Sequence, residues 1–177
     1  MFPSHDRERI ATDANYLYAC DGKWWNYHHD VVAEEFNGEL WTTLPDNDPN
    51  NQHICAIERF GLNYVRGTAT KAGLSGSNGI TYGGNSGYQA IHLAYNFGAT
   101  EIYLLGYDFR GSGKHFFGEH PQPLTAGHNH ARWLNDIALL ARDLKAAGVK
   151  VVNLSRQTAI TCFPRMSIAD FITYSTD

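Results

Sequence analysis

Little in this chain points to nucleic acid, the membrane or an oxidising compartment. Lys and Arg together number 14 against 18 Asp and Glu, a net charge of −4 with histidine neutral, and no cationic run or stripe breaks that balance. Neutralising a phosphate backbone takes clustered cations, so a DNA- or RNA-binding domain is not expected. Cysteine is scarce: Cys20, Cys55 and Cys162 are odd in number, far apart and form no C-x-x-C pair. That argues against a disulfide framework and for a reducing compartment. Residues 1–9 carry charges where a signal peptide needs an apolar stretch, and no segment is long and apolar enough to span a bilayer. The expectation is a cytoplasmic protein with neither membrane nor nucleic acid among its partners. There is no internal repeat, low-complexity tract or acidic tail. There is also no Walker A loop and no G-x-G-x-x-G, so P-loop and standard NAD readings lack support.

What is present is a chain of 177 residues, 43% hydrophobic and 13% aromatic, with 4 Trp and 10 Tyr. That length suits one domain, 1–177, with a polar, aperiodic lead over residues 1–13. Most of the rings are expected in the core, and a few on a ligand. The apolar run 16–19 reads as a buried strand stopped by Cys20-Asp21-Gly22. Residues 23–36 read as a helix with Trp24, Tyr27, Val31 and Phe36 on one face and Gly38 as its stop. Residues 40–43 read as a strand, 45–51 as a loop, and 53–57 and 63–65 as short strands around Gly61. The Gly-, Ser-, Thr- and Asn-rich stretch 67–84 is either a surface loop or a binding loop.

The second half has a clearer rhythm. Residues 86–97 form a helix with Gly87, Ala90, Ile91, Ala94, Tyr95 and Gly98 as a face for close packing on a sheet. Residues 101–107 are a near-continuous apolar strand. A polar loop spans 108–125. A helix follows from about 131 to 147 with Trp133, Ile137, Leu140 and Leu144 as its stripe, and then a strand over 149–153. This alternation predicts an α/β fold, a Rossmann-like three-layer sandwich with a mostly parallel sheet. Ligands of such sheets bind beyond the carboxyl ends of the strands. That directs attention to Asp21, to 83–87, to 108–115 and to 153–158.

Tyr82-Gly83-Gly84-Asn85-Ser86-Gly87 precedes a helix. Its glycines allow close backbone approach, and helix-start amides attract anions. Asn85, Ser86 and Gly87 are candidate ligand contacts, although the same residues would also make an ordinary cap. Asp108 is placed to accept from a sugar hydroxyl. Arg110, Lys114 and His115 could hold a phosphate or carboxylate. Asp21, Asn153 and Ser155 line the remaining strand ends, and Trp24 or Trp25 could stack on a base. The histidines at 115, 120, 128 and 130 match no established zinc spacing, so no metal is expected.

Residues 85–90 followed by 98–109, Gly-Ala-Thr-Glu-Ile-Tyr-Leu-Leu-Gly-Tyr-Asp-Phe, resemble a segment of the bacterial sialyltransferases that use CMP-sialic acid. They are also similar to the motility accessory factor and MptE-like proteins and to uncharacterised phage proteins. Residues 16–25 look most like the phage members. The resemblance runs from about 16 to 166 and is specific only in these islands. It implies a nucleotide-sugar donor contacted by Ser86 and Gly87, no metal or other cofactor, and His128, in Gly127-His128-Asn129, as the base that deprotonates an acceptor hydroxyl. Where those enzymes place tyrosines after the Asp-Phe, this chain has Arg110, Lys114 and His115, which would neutralise the departing phosphate. The relatives' opening strand, Gly-Pro-Ser-like phosphate loop and Asn-bearing second strand have no counterpart here. The chain is therefore expected to enter partway through their domain, and a homo-oligomer that covers the open sheet edge is a reasonable expectation. The leading expectation is a glycosyltransferase-like protein. The alternative is a non-catalytic phage protein that sequesters a host nucleotide signal in the same pocket.

Overall fold

The computed structural model of the protein describes residues 14–48, 50–68, 71–76, 78–110 and 129–176. These build a mixed α/β fold of Rossmann-like type with parallel strand pairing, as the alternation of periods anticipates. They group into two compact units, one over described residues 14–68 and the other over 71–110 and 129–176.

The first unit contains β1 (Tyr16–Tyr18), α1 (Gly22–Glu35), β2 (Glu39–Pro45), α2 (Gln52–Phe60) and β3 (Asn63–Thr68). β2 pairs in parallel with both other strands, setting Leu17 beside Leu40 and Thr43 beside Val65. Parallel neighbours need a long crossover, and α1 and α2 supply it. The buried face of α1 is Trp25, His28 and Val32, one step around from the expected Trp24, Tyr27 and Val31, with Phe36 buried just beyond the helix. Both phases have helical spacing, so periodicity cannot choose between them. The hydrogen bond from Trp25 Nε1 to Ala19 O at 3.0 Å anchors the inward tryptophan at the end of β1.

Residues 53–57 are not the expected strand; they lie inside α2. The apolar run masked a capping carboxylate. Asp48 accepts from the amides of Gln52, His53 and Ile54 at 3.1, 2.9 and 3.2 Å, the donors a helix start leaves without partners. Burial raises the Asp48 pKa, but the hydrogen bonds from the His53 ring and from the amides of Ile54 and His53 outweigh it and hold the carboxyl below its usual range.

The second unit contains β4 (Ile80–Thr81), α3 (Ser86–Asn96), β5 (Glu101–Leu104), α4 (His130–Ala146), β6 (Lys150–Asn153) and α5 (Ile168–Thr176). β5 and β6 run parallel, with Ile102 beside Val151. Tyr88 and Ile91 of α3 and Ile137, Leu140 and Leu144 of α4 pack with Ile102 and Leu104 in one core cluster. The α4 stripe is as expected, except that Trp133 is only partly buried. Two readings need correction. The strand expected over 101–107 ends at Leu104, because Leu105 is 67% exposed and Gly106 turns the chain at φ +79°. The small residues of α3 are not its buried face: Tyr88, Gln89, Ile91, His92 and Leu93 are buried, while Gly87, Ala90 and Ala94 are half-buried. The large Tyr88 ring, packed under the Gly83 turn, sets that rotation.

Candidate functional site

Within the second unit, the carboxyl ends of β5 and β6 meet the start of α3. Gly83 and Gly84 turn the chain into the helix at φ +52° and +76°. Neither position has room for a side chain. A Cβ on Gly83 would lie 2.1 Å from the Tyr88 ring, and one on Gly84 would lie 2.9 Å from the Trp133 indole.

Asn85 is the N-cap of α3, and its Oδ1 accepts from the Tyr88 amide at 2.9 Å. That fixes the orientation of the side-chain amide and turns Nδ2 the other way. Nδ2 is shielded from solvent and has no hydrogen-bond partner among the described residues. A buried donor left unpaired costs about 1–3 kcal/mol, so an acceptor brought there would be stabilised. The next two residues, Ser86 and Gly87, open the first helical turn, at the positive end of the helix dipole. Ser86 is exposed and Gly87 half-buried.

The β5 loop closes against this start. The Tyr107 hydroxyl donates to Gly87 O at 3.0 Å, and the Tyr107 amide donates to Ser155 Oγ at 2.7 Å. Burial raises the Tyr107 phenol above its ordinary range, so it stays a neutral donor. Asn153 Nδ2 donates to Tyr107 O at 3.3 Å and to Thr158 Oγ1 at 3.2 Å, while its Oδ1 accepts from the Ser155 amide at 2.9 Å. Asn153 is 0% exposed. Phe109 sits at φ +49°, a conformation L residues rarely adopt. Its ring stacks on Tyr107 at 6.1 Å and meets Trp133 edge-on at 6.3 Å. Strain of this kind needs a surrounding structure that enforces it, and here the two aromatic neighbours, with the bond from the Ala159 amide to Asp108 O at 2.7 Å, do so.

Among the sequence candidates, Asn85, Ser86 and Gly87 form the helix start. Arg110 reaches across the mouth to hydrogen-bond Gln157 Oε1, and Asp108 is exposed beside it. Asn153 and Ser155 are brought to the same place but face inward, where they lock the loops together. Asp21 belongs to the first unit and caps α1, accepting from the Lys23 amide at 2.9 Å. Lys114, His115 and His128 lie outside the described residues. No group of three His, Cys, Asp or Glu side chains suited to a metal ion occurs among the described residues, and none of their helices is long and apolar enough to cross a membrane. Gln157 and Thr158 enter the sequence reading only as members of the stretch 153–158, and Tyr107 only as the end of a strand. Their roles depend on contacts 46 to 51 residues apart in the chain, which no local pattern encodes.

No protein-family model, no curated protein and no solved structure matches this chain.

Proposed function

We propose that the protein binds a nucleotide or nucleotide sugar, with a phosphate at the start of α3, and acts as a metal-independent, sialyltransferase-like glycosyltransferase. The observation that carries the binding is Asn85, whose solvent-shielded Nδ2 donor stands unpaired beside the first-turn amides of Ser86 and Gly87. The Asn85 donor and the positive end of the helix dipole suit a phosphate oxygen. Arg110, at the mouth, adds a cation that Gln157 holds in position.

The chemistry rests on the sequence resemblance. An acceptor hydroxyl oxygen attacks the anomeric carbon, the bond from that carbon to the phosphate oxygen breaks, and His128 takes the hydroxyl proton. Arg110 and Lys114 receive the charge that develops on the leaving phosphate. A second reading is a binder without turnover. It is favoured by the inward placement of Asn153 and Ser155, which leaves fewer groups at the rim to handle a second substrate.

Thermal-shift and calorimetric titration with a panel of nucleotides and nucleotide sugars test the proposal, since a ligand specific for the folded state raises the melting temperature. The expected result is a nucleotide-sugar hit that weakens at least about tenfold in Asn85→Ala, with donor hydrolysis or transfer lost in His128→Ala while binding is kept. Binding of nucleotides alone, with no turnover in the unmodified protein, would support the sequestering reading. Binding unaffected at Asn85 and Ser86 would remove the site.

A further inference from the structure

Between β3 and α3 the chain forms a strap, residues 71–76 and 78–81, whose backbone is pinned by side chains. The Gly73 amide donates to Tyr88 Oη at 2.8 Å, and that hydroxyl donates back to Gly73 O at 3.0 Å. The Leu74 amide donates to Asp143 Oδ2 at 3.0 Å. The Ser75 amide points at His92 Nε2 at 3.2 Å and the Thr81 amide at His92 Nδ1 at 3.3 Å. Asn96 Nδ2 donates to Gly79 O at 3.0 Å. Tyr88, His92 and Asn96 stand four residues apart on α3 and so share one stripe. A polar stripe on a helix thus does for the strap what a neighbouring strand would do in a sheet.

His92 is the sensitive member. It is 0% exposed, and two backbone donors address its two ring nitrogens. A neutral imidazole has one lone pair to offer and one N–H. The remaining N–H finds its outlet at Thr81 Oγ1, 3.5 Å from Nδ1. An imidazolium keeps the Nδ1–H outlet, but its Nε2 also carries a proton, so N–H would oppose N–H at the Ser75 amide.

Among the described residues, no counter-charge offsets this. α3 presents Tyr88 to the ring, edge-on at 6.5 Å. The strap and β4 present amides and the Thr81 hydroxyl. α4 brings Asp143 and Asp136 to the neighbourhood, but Asp143 is engaged by the Leu74 amide and Arg142, and Asp136 by Arg132. Burial accordingly pushes the His92 imidazole down to about 4.

We propose that His92 makes the strap a proton-released latch: when the ring takes up a proton, the Ser75 amide detaches from α3, and the strap that runs through Thr81 to the Gly83–Gly84 turn loosens with it. The device is local, since the backbones of Ile102 and Val151 are held by the β5–β6 pairing and not by the strap.

Amide hydrogen exchange by NMR on the full chain, from pH 7 to pH 4, is the test, with the His92 ring nitrogens followed in the same samples. The expected result is that protection of the Ser75 amide, corrected for intrinsic exchange, falls by up to about tenfold per pH unit as pH drops below about 6.5, where a released ring titrates, and levels off near 4, where the closed ring does. Ile102 and Val151 should stay protected. His92→Gln, which cannot be protonated, should keep its strap amides protected over the same range, and Asp143→Asn should leave the acid step in place. Protection that persists when the ring signals report imidazolium overturns the proposal, and the unmodified protein alone supplies that reading if a variant fails to fold. An acid step unchanged in His92→Gln, or abolished in Asp143→Asn, also overturns it.

Discussion

Two helices of this protein, α1 and α3, each follow a short strand and begin with a polar cap, and the two caps leave different groups unused. Asp21 caps α1 with a carboxylate that accepts from the Lys23 amide. The negative charge that the helix dipole favours is therefore already in place, and a phosphate would be repelled. Gly22 is also closed in, since a Cβ there would lie 2.7 Å from Gln52 O. Asn85 caps α3 with a neutral amide whose oxygen is used and whose nitrogen is not. The glycine turn before it is packed as closely as Gly22, a Cβ on Gly83 meeting the Tyr88 ring at 2.1 Å, so the difference between the two starts lies in the cap side chain. One helix start is finished by its own side chain; the other lacks an acceptor. On the proposed reading, the choice of Asp or Asn at an N-cap bears on ligand binding as well as on helix stability.

The largest effect is expected from filling the turn that shapes the α3 start. Gly83→Ala combines a positive φ of +52° with a contact of 2.1 Å to the Tyr88 ring, whose hydroxyl holds the strap. Strain and overpacking together should cost about 3 kcal/mol or more. Gly61→Ala, at φ +63° beyond α2 with nothing within 4 Å, faces strain alone and should cost about 1 kcal/mol. Urea unfolding of the two variants measures the difference. Equal losses would mean that the Gly83 turn yields and is not the fixed frame on which the α3 site depends.

Acid should separate the two helices next. An unfolded histidine takes up its proton near pH 6.5, whereas buried His92 of α3 resists until about 4. Between those values the unfolded chain binds more protons, so stability rises with pH and is lost as pH falls from about 6.5 towards 4. The loss is at most about 3 kcal/mol, less whatever local release of the strap recovers. Asp48, which caps α2, has a lowered pKa and therefore gives way only at lower pH, when its carboxylate is protonated. Unfolding titrations of the unmodified protein and of His92→Gln should differ in slope between pH 6 and 4.5 and run parallel above pH 7. Parallel curves throughout would show that His92 carries no linkage.

Removing the unpaired donor comes third. Asn85→Ala should cost about 1 kcal/mol of stability as a lost cap and, on the proposed reading, at least about tenfold in affinity for a nucleotide. Asn85→Asp should keep the cap and lose the affinity, because the orphan donor is replaced by a repelling charge. If Asn85→Asp bound as well as the unmodified protein, the ligand would lie elsewhere.

The sequence made the α/β class legible because alternating helical and extended periods survive in short windows. The stripe Ile137, Leu140, Leu144 is an example, as is the run Ile102-Tyr103-Leu104. Phase was less legible. Trp24 and Trp25 are equally apolar, and only the bond from Trp25 Nε1 to Ala19 O decides which faces inward. The reading of 53–57 as a strand failed because a nine-residue helix shows little periodicity and its cap, Asp48, stands in a stretch whose composition reads as loop. At the site, the Gly-Gly-Asn-Ser-Gly turn was visible from residue types. The inward roles of Asn153 and Ser155 were not, because a polar residue after a strand looks the same whether it meets ligand or locks a loop. The strap stripe Tyr88, His92, Asn96 was readable as spacing and was overlooked beside the small residues of the same helix.

The smallest expected effect is the most discriminating. Asp21→Asn converts the finished helix start into the residue type of the open one. Asn and Asp cap about equally well, so stability should change by a few tenths of a kcal/mol, through loss of the charge–dipole interaction. Nucleotide affinity should not change, because the new amide lies on an exposed side chain that water already satisfies, whereas Asn85 Nδ2 is shielded. What distinguishes the α3 start is then the burial of its spare donor, not the presence of asparagine. Calorimetric titration of Asp21→Asn beside Asn85→Asp measures both halves. A gain in phosphate binding at Asp21→Asn would show that any neutral cap suffices at a strand-to-helix turn of this protein, and the case for a site specific to Asn85 would fall with it.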